Sequence, residues 1–297
     1  MSTLERKTMQ RTKEFTNDMA DQFHGQGYII LHDFFDHAIV QHARDGVMPL
    51  VDRCAEQLVA EGRIPGPMAD APFETRLARL YAGCMDHAPH IFRRELHLPG
   101  MFNVFFHPAL LNAVERILGS EIRLYPNYSV RPKLPDHAQT LVLWHQDGGY
   151  TQNVHLDGQH GEHAVEVLRM VNVWAPLVPA REVNGCMQFI PGSHKLGLAP
   201  HEGRQYYLEI PPDAMAPHLD KAVSIELDPG DVVLFHNMLF HQGLPNLTDS
   251  VRWSMDWRYQ DATQPTLRQD QGHLARSRLR PEDVVHDERE WQKLTFR

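Results

Sequence analysis

From about residue 121 onward the chain is a succession of short strand-like runs separated by turn signals, a pattern that restricts the fold to a sandwich or barrel. Asn184-Gly185 reads as a hairpin turn between apolar runs. Pro229-Gly230-Asp231 reads as a turn that opens the apolar run at residues 232–235. Val251-Arg252-Trp253-Ser254-Met255-Asp256-Trp257 alternates large apolar residues with polar ones, so one face of that strand is polar. Such a face either lines a pocket or meets solvent. The front of the chain is helical instead. Phe15, Met19 and Phe23 recur at four-residue spacing, and a stripe from Val40 to Leu58 marks a longer helix, which Asp36 can cap and which Pro49 bends. Gly27-Tyr28-Ile29-Ile30-Leu31 reads as a strand between these two helices. Pro108 opens a further helix that ends before Gly119.

At 297 residues the chain falls within the range of one β-domain carrying additions. The expected organisation is a helical N-terminal part over about 1–120, a β core over about 121–262 and an extension over 263–297. A formal net charge of −9, with no dense Lys/Arg run, argues against nucleic-acid binding. Cys54, Cys84 and Cys186 form no close-spaced pair, and no apolar stretch has signal-peptide or membrane-span length. The expectation is a cytoplasmic protein that binds no membrane. The ending Leu294-Thr295-Phe296-Arg297 is not a peroxisomal Ser-Lys-Leu address.

His145 and Asp147 lie two apart in Leu143-Trp144-His145-Gln146-Asp147, after the run Thr140-Leu141-Val142. On a strand, residues i and i+2 share a face, so both side chains can reach one metal ion. The pattern alone is weak. Among 20 histidines it recurs at His155/Asp157 and His218/Asp220, both in loop-like surroundings, and a hydrogen-bonded His–Asp couple would look the same. A third ligand is available at His241 in Phe240-His241-Gln242-Gly243 or at His236, which closes the run before it. The two differ by five and would point oppositely on a continuous strand. Two histidines and a carboxylate on one face of an octahedral ion leave the other face open, as in non-haem Fe(II) oxygenases. Arg252 offers a planar fork of donors that suits a carboxylate, or else a surface salt bridge.

Three blocks in order carry a resemblance: Trp144-His145-Gln146-Asp147-Gly148-Gly149-Tyr150; Asn172-Val173-Trp174-Ala175-Pro176-Leu177 with Asn184-Gly185-Cys186-Met187-Gln188-Phe189-Ile190-Pro191-Gly192-Ser193-His194-Lys195; and Pro229-Gly230-Asp231-Val232-Val233-Leu234-Phe235-His236, running through His241 to Arg252. Over about residues 120–262 the chain resembles the phytanoyl-CoA dioxygenase family of Fe(II)- and 2-oxoglutarate-dependent oxygenases. The resemblance implies a mainly β fold with flanking helices, a double-stranded β-helix (a cupin-like jelly roll) buttressed by the N-terminal helices. It implies His145, Asp147 and His241 as metal ligands, which selects His241 over His236. Arg252, eleven residues after His241, matches the arginine that holds the distal carboxylate of 2-oxoglutarate. Ser254 completes an Arg-x-Ser pattern, Trp174 matches a pocket tryptophan, and Asn127 falls near an amide that contacts the cosubstrate. Many relatives carry a serine where this chain has Gly243. Asp147 sits where related halogenases have a small residue, so oxygenation is expected rather than halogenation.

The implied reaction consumes O2 and 2-oxoglutarate at Fe(II), releases succinate and CO2, and hydroxylates an unactivated C–H bond of a small molecule. Desaturation, cyclisation and epimerisation can start from the same hydrogen abstraction. A metal-binding cupin without 2-oxoglutarate chemistry and a non-catalytic jelly-roll module are the competing classes. Residues 151–163 and 199–217 are candidate walls over the iron, with His155, His160 and His163 as solvated or substrate-facing histidines. Gln146 and Tyr150 flank the ligands and are candidates for substrate contact.

Overall fold

The computed structural model describes residues 14–155 and 165–296. Thr16 caps α1 (Asn17–Gln26), its hydroxyl accepting from the Met19 amide, and Gly27 ends the helix in the left-handed region. β1 (Tyr28–Leu31) follows, then α2 (His37–Ala60), with Asp36 at the N-cap position and Pro49 inside a continuous helix. Three shorter helices complete the front: α3 (Phe73–Leu80), α4 (Met101–Phe105) and α5 (Pro108–Leu118).

The described strands form two antiparallel sheets and a small hairpin of β7 (Glu202–Gly203) and β8 (Leu208–Glu209). The larger sheet has seven strands. Its path runs β1, β10 (Val232–His236), β5 (Met170–Pro176), β12 (Arg252–Asp261), β2 (Ile122–Leu124) and β13 (His273–Arg276), with β3 (Ser129–Lys133) also paired to β12. The smaller sheet orders β4 (Val142–His145), β11 (His241–Gly243), β6 (Met187–Phe189) and β9 (Val223–Ile225). Two facing sheets that the chain crosses between repeatedly make the expected jelly roll. β1 and β13 join the large sheet from outside residues 121–262, so the sheet is wider than the expected core. A correction concerns Asn184-Gly185. β5 and β6 lie in different sheets, so this turn carries the chain across the sandwich rather than closing a hairpin. Gly185 is left-handed at φ 87°, and a Cβ there would lie 2.4 Å from the Leu244 carbonyl oxygen, which explains the glycine.

Strand alternation divides the buried residues by side. Val232 and Leu234 of β10, Val171, Val173 and Ala175 of β5, and Trp253, Met255, Trp257 and Tyr259 of β12 pack outward under the helices. Trp253 is fully buried, with its ring near-parallel to Phe73 and Phe92 at centroid distances of 5.1 and 6.2 Å. The alternate residues face the inside of the sandwich. There Trp174, Val233 and Phe235 meet Met187, Phe189 and Ile225 of the small sheet. The C-terminal α7 (Glu288–Lys293) adds Trp291, buried beside Phe105 and Tyr128 and hydrogen-bonded to the Leu96 carbonyl at 3.0 Å.

α2 packs so closely on the Pro99-Gly100 turn that a Cβ at Gly46 would lie 2.2 Å from the Pro99 carbonyl oxygen. Gly→Ala inside an unencumbered helix stabilises by about 0.5–1 kcal/mol. Gly46→Ala is therefore expected to reverse the usual sign and cost about 1–3 kcal/mol, read as a lowered midpoint of thermal unfolding. A raised midpoint would show that this contact is loose.

Candidate active site

The register of the small sheet sets His145 of β4 directly opposite His241 of β11, with ring centroids 4.0 Å apart. Each imidazole is oriented by the carbonyl two residues before it. His145 Nδ1 lies 2.7 Å from the Leu143 oxygen, and His241 Nδ1 lies 2.8 Å from the Leu239 oxygen. A carbonyl only accepts, so Nδ1 carries the hydrogen in both rings and Nε2 keeps its lone pair. Burial pushes both pKa values below the ordinary histidine value, and for His145 the facing His241 pushes the same way. Both rings are neutral at pH 7, the form that binds a metal.

Asp147 completes the group. One ligand atom from each of His145, Asp147 and His241 lies within 4.8 Å of the others. The carboxylate is held by two partners: Arg258 donates Nη2 to Oδ1 at 2.7 Å and Nε to Oδ2 at 3.2 Å, and Asn172 donates Nδ2 to Oδ2 at 2.7 Å. Burial is the largest single influence and would raise the pKa of Asp147, but Arg258, His241 and His145 together outweigh it and hold the carboxyl well below the usual range. Second partners of this kind fix ligand orientation in metal sites.

The route by which Asp147 reaches His145 differs from the strand expectation. β4 ends at His145, and Asp147 opens α6 (Asp147–His155). The chain leaves the sheet at Gln146, whose fully buried side chain donates to the Gly197 and Met238 carbonyls and accepts from the Ala199 amide. These bonds pull residue 146 off the strand path, and the helix start then presents the carboxylate. Gln146 therefore pins two loops behind the site and does not line the cavity, contrary to its expected substrate contact. Tyr150 does line it, and its hydroxyl accepts from the Leu208 amide at 3.1 Å.

The competing pairs fall elsewhere. His236 ends β10, stands outside the three-ligand group, and packs against the rings of Phe23 and His194; burial lowers its pKa to about 4. His218 and Asp220 lie in a 3-10 turn at residues 216–221, away from the cavity. Asp157, His160 and His163 lie outside the described residues, as does the side chain of His155.

All seven expected site residues, Asn127, His145, Asp147, Trp174, His241, Arg252 and Ser254, line one cavity of about 420 Å³, a volume suited to small molecules. Arg252, Ser254, Asp256 and Arg258 are the inward face of β12, two residues apart in turn. Arg252 is buried, donates Nη1 to the Ser254 hydroxyl and Nη2 to the Gly185 carbonyl at 3.0 Å, and sits 5.3 Å over the Trp174 ring. Among the described residues its Nε has no hydrogen-bond partner and it pairs with no carboxylate. Burial lowers its pKa to about 10, so it remains charged at pH 7. Asn127 likewise carries a buried, unpartnered Oδ1. The glycine at 243 has a local reason. Lys133 Nζ lies 3.1 Å from where a Cβ of residue 243 would stand, and it donates to the Thr140 and Gly243 carbonyls at 2.8 and 3.3 Å.

Sequence reasoning missed Arg258, Asn172 and Lys133 as site residues. Arg258 continues the polar alternation of β12 by one more step, a signal that was available. Asn172 lies two before Trp174 on β5 and faces the same way. Lys133 gave no motif; only the pairing of β3 with β12, which sets it opposite Arg252, brings it in.

The model of the family described as phytanoyl-CoA dioxygenase (PhyH) matches residues 23–254. The chain is 26% identical over 259 residues to a 1-deoxypentalenic acid 11-beta-hydroxylase of Streptomyces arenae, covering 82% of this chain and 81% of that protein. Among solved structures it is similar to the carbocyclase SnoK from nogalamycin biosynthesis, at TM-score 0.54 and 22% identity, with 83% of this chain and 84% of that one covered. It is also similar to EctD from S. alaskensis, solved with 2-oxoglutarate and 5-hydroxyectoine, at TM-score 0.55 and 19% identity over 84% and 77% of the two chains. At these identities the solved structures speak for the fold. By its sequence match over most of its length, the chain belongs to the phytanoyl-CoA dioxygenase family of Fe(II)- and 2-oxoglutarate-dependent oxygenases.

Proposed function

We propose that Nε2 of His145, Nε2 of His241 and the Asp147 carboxylate hold the Fe(II), that Arg252 anchors 2-oxoglutarate, and that the enzyme hydroxylates an unactivated C–H bond of a small molecule. The observation that carries this reading is the convergence, in one cavity, of a three-ligand group with a buried guanidinium that pairs with no carboxylate among the described residues. The donor set fits the metal, because both imidazoles are held in the tautomer that frees Nε2. Iron bound there supplies the activation of O2 coupled to oxidative decarboxylation of 2-oxoglutarate.

The protein's own contribution is orientation and charge. The planar fork of Arg252 meets a carboxylate in two parallel, charge-assisted bonds. Ser254 and the Gly185 carbonyl fix the plane of that fork, and Trp174 supports its face. The Asn127 Oδ1, without a hydrogen-bond partner among the described residues, supports reading its amide as a group that orients the cosubstrate. Arg258 and Asn172 keep Asp147 ionised and correctly turned. Tyr150, Tyr206 and Tyr207 wall the cavity and limit water. The helical front, jelly roll and C-terminal extension are read as a single domain, supported by one buried apolar cluster that runs from Phe15 to Trp291. The free cysteines Cys54, Cys84 and Cys186 support a cytoplasmic location. No helix among the described residues is long and apolar enough to cross a membrane.

Without oxygen, adding Fe(II) and 2-oxoglutarate is expected to produce a visible charge-transfer band. Arg252→Met should weaken 2-oxoglutarate binding about 10- to 100-fold, the worth of one charged hydrogen-bonded contact, and unchanged binding would remove Arg252 from the cosubstrate site. In a separate metal titration, Asn172→Ala should lower Fe(II) affinity about 10- to 100-fold. His145→Ala and His241→Ala should abolish it, while His236→Ala leaves it intact. Retention of stoichiometric iron by both ligand variants would refute the assignment.

A further inference from the structure

The cavity holds more positive charge than the metal centre and cosubstrate can use. Arg93, Arg131, Arg252, Arg258 and Arg268 line it, against the carboxylates Asp147 and Asp256. Arg258 is paired with both carboxylates, and Arg131 donates Nε to Asp256 at 2.7 Å. Those four groups cancel. Fe(II) and the 2-oxoglutarate dianion also cancel, so loading the site leaves the excess unchanged. Arg252 receives the cosubstrate's distal end in the proposed function, and Lys133, opposite it in the β3–β12 register, has its pKa pushed well below the ordinary lysine range by burial and by Arg252. Arg93 and Arg268 remain.

Among the described residues neither of these two is paired with a carboxylate. Among the described residues, Arg93 has no carboxylate partner, and its buried Nε has no hydrogen-bond partner at all. Burial and the nearby Arg131 lower its pKa to about 10, leaving it charged at pH 7. Arg268 lies with its guanidinium 5.1 Å over the Tyr125 ring and donates to the Tyr125 hydroxyl at 3.0 Å and the Pro126 carbonyl at 3.3 Å. It too lacks a carboxylate among the described residues. The pair therefore repel each other and Arg258 in a space partly shielded from water, an arrangement relieved when an anion enters. The two oxygens of a carboxylate match a guanidinium fork in two parallel bonds.

We propose that the primary substrate is a carboxylic acid whose carboxylate is received by Arg93 and Arg268, its carbon skeleton lying against Ile91, Tyr206 and Tyr207. This rests on the proposed function, since it assigns to 2-oxoglutarate the Arg252 end of the same cavity.

The test uses the full chain, oxygen-free, with Fe(II) and saturating 2-oxoglutarate. Calorimetric titrations compare cyclohexanecarboxylate, benzoate and decanoate with their methyl esters. The acids are expected to bind at least tenfold more tightly than the esters. Arg93→Met and Arg268→Met should each erase that preference, Arg93→Lys should keep part of it, and the 2-oxoglutarate band should keep its affinity in all three. Equal binding of acids and esters, no binding of any acid, or a preference that survives Arg93→Met would overturn the proposal. So would a tenfold loss of 2-oxoglutarate affinity in Arg93→Met, which would assign Arg93 to the cosubstrate. A missing band in the unaltered protein would overturn the cosubstrate reading, and this one with it.

Discussion

The ion pair between Arg258 and Asp147 is the interaction on which the rest of the centre depends. Asp147 starts a helix and His145 ends a strand, so nothing in local backbone geometry obliges the two to face one ion. Arg258 supplies that constraint from the other sheet. It grips both oxygens of the carboxylate while also donating to the Asn127 carbonyl at 3.1 Å and to Asp256. Burying both charges costs several kcal/mol per ion, and the cost is offset only where geometry is good and the remaining donors are satisfied. Here the fork is bidentate, and Asn172 takes a further lone pair of the carboxylate. The pair thus joins the small sheet, which carries both histidines, to the large sheet, which carries Arg252.

β12 makes that join possible because it is strictly two-faced. Trp253, Met255, Trp257 and Tyr259 are almost wholly buried beneath the helices, and large apolar burial of this kind fixes the strand's register. A slip of one residue would put four aromatic and apolar side chains into the cavity and four polar ones into the helix-backed core. The helical front therefore acts on the site at a distance. By covering the outer face of β12, it sets which residues face inward.

The jelly roll and the site were legible where periodicity or spacing carried them. The alternation at residues 251–257, the turn at Pro229-Gly230-Asp231 and the apolar stripes of α1, α2 and α5 all translate into the elements expected. The approach of His145 to His241 came from resemblance, because cross-strand register between residues 96 positions apart leaves no local mark. The misreadings share a cause. Gln146 and Asp147 leave the strand because of bonds to Gly197, Ala199 and Met238, and Asn184-Gly185 crosses between sheets instead of turning within one. Both outcomes are set by partners distant in sequence. Lys133 shows the converse: the sequence suggests that Gly243 loses a hydroxyl, while the structure fills that space with the Lys133 amine. Only a three-dimensional neighbour explains that exchange.

In the proposed function one iron sits between the two sheets, with the cosubstrate running from it to Arg252. Crystals grown without oxygen in Fe(II) and 2-oxoglutarate, measured on both sides of the iron absorption edge, test it most directly. A single anomalous peak is expected among His145, Asp147 and His241, with the far carboxylate of 2-oxoglutarate on the Arg252 fork. A peak at other residues, or a cosubstrate turned away from Arg252, would contradict it.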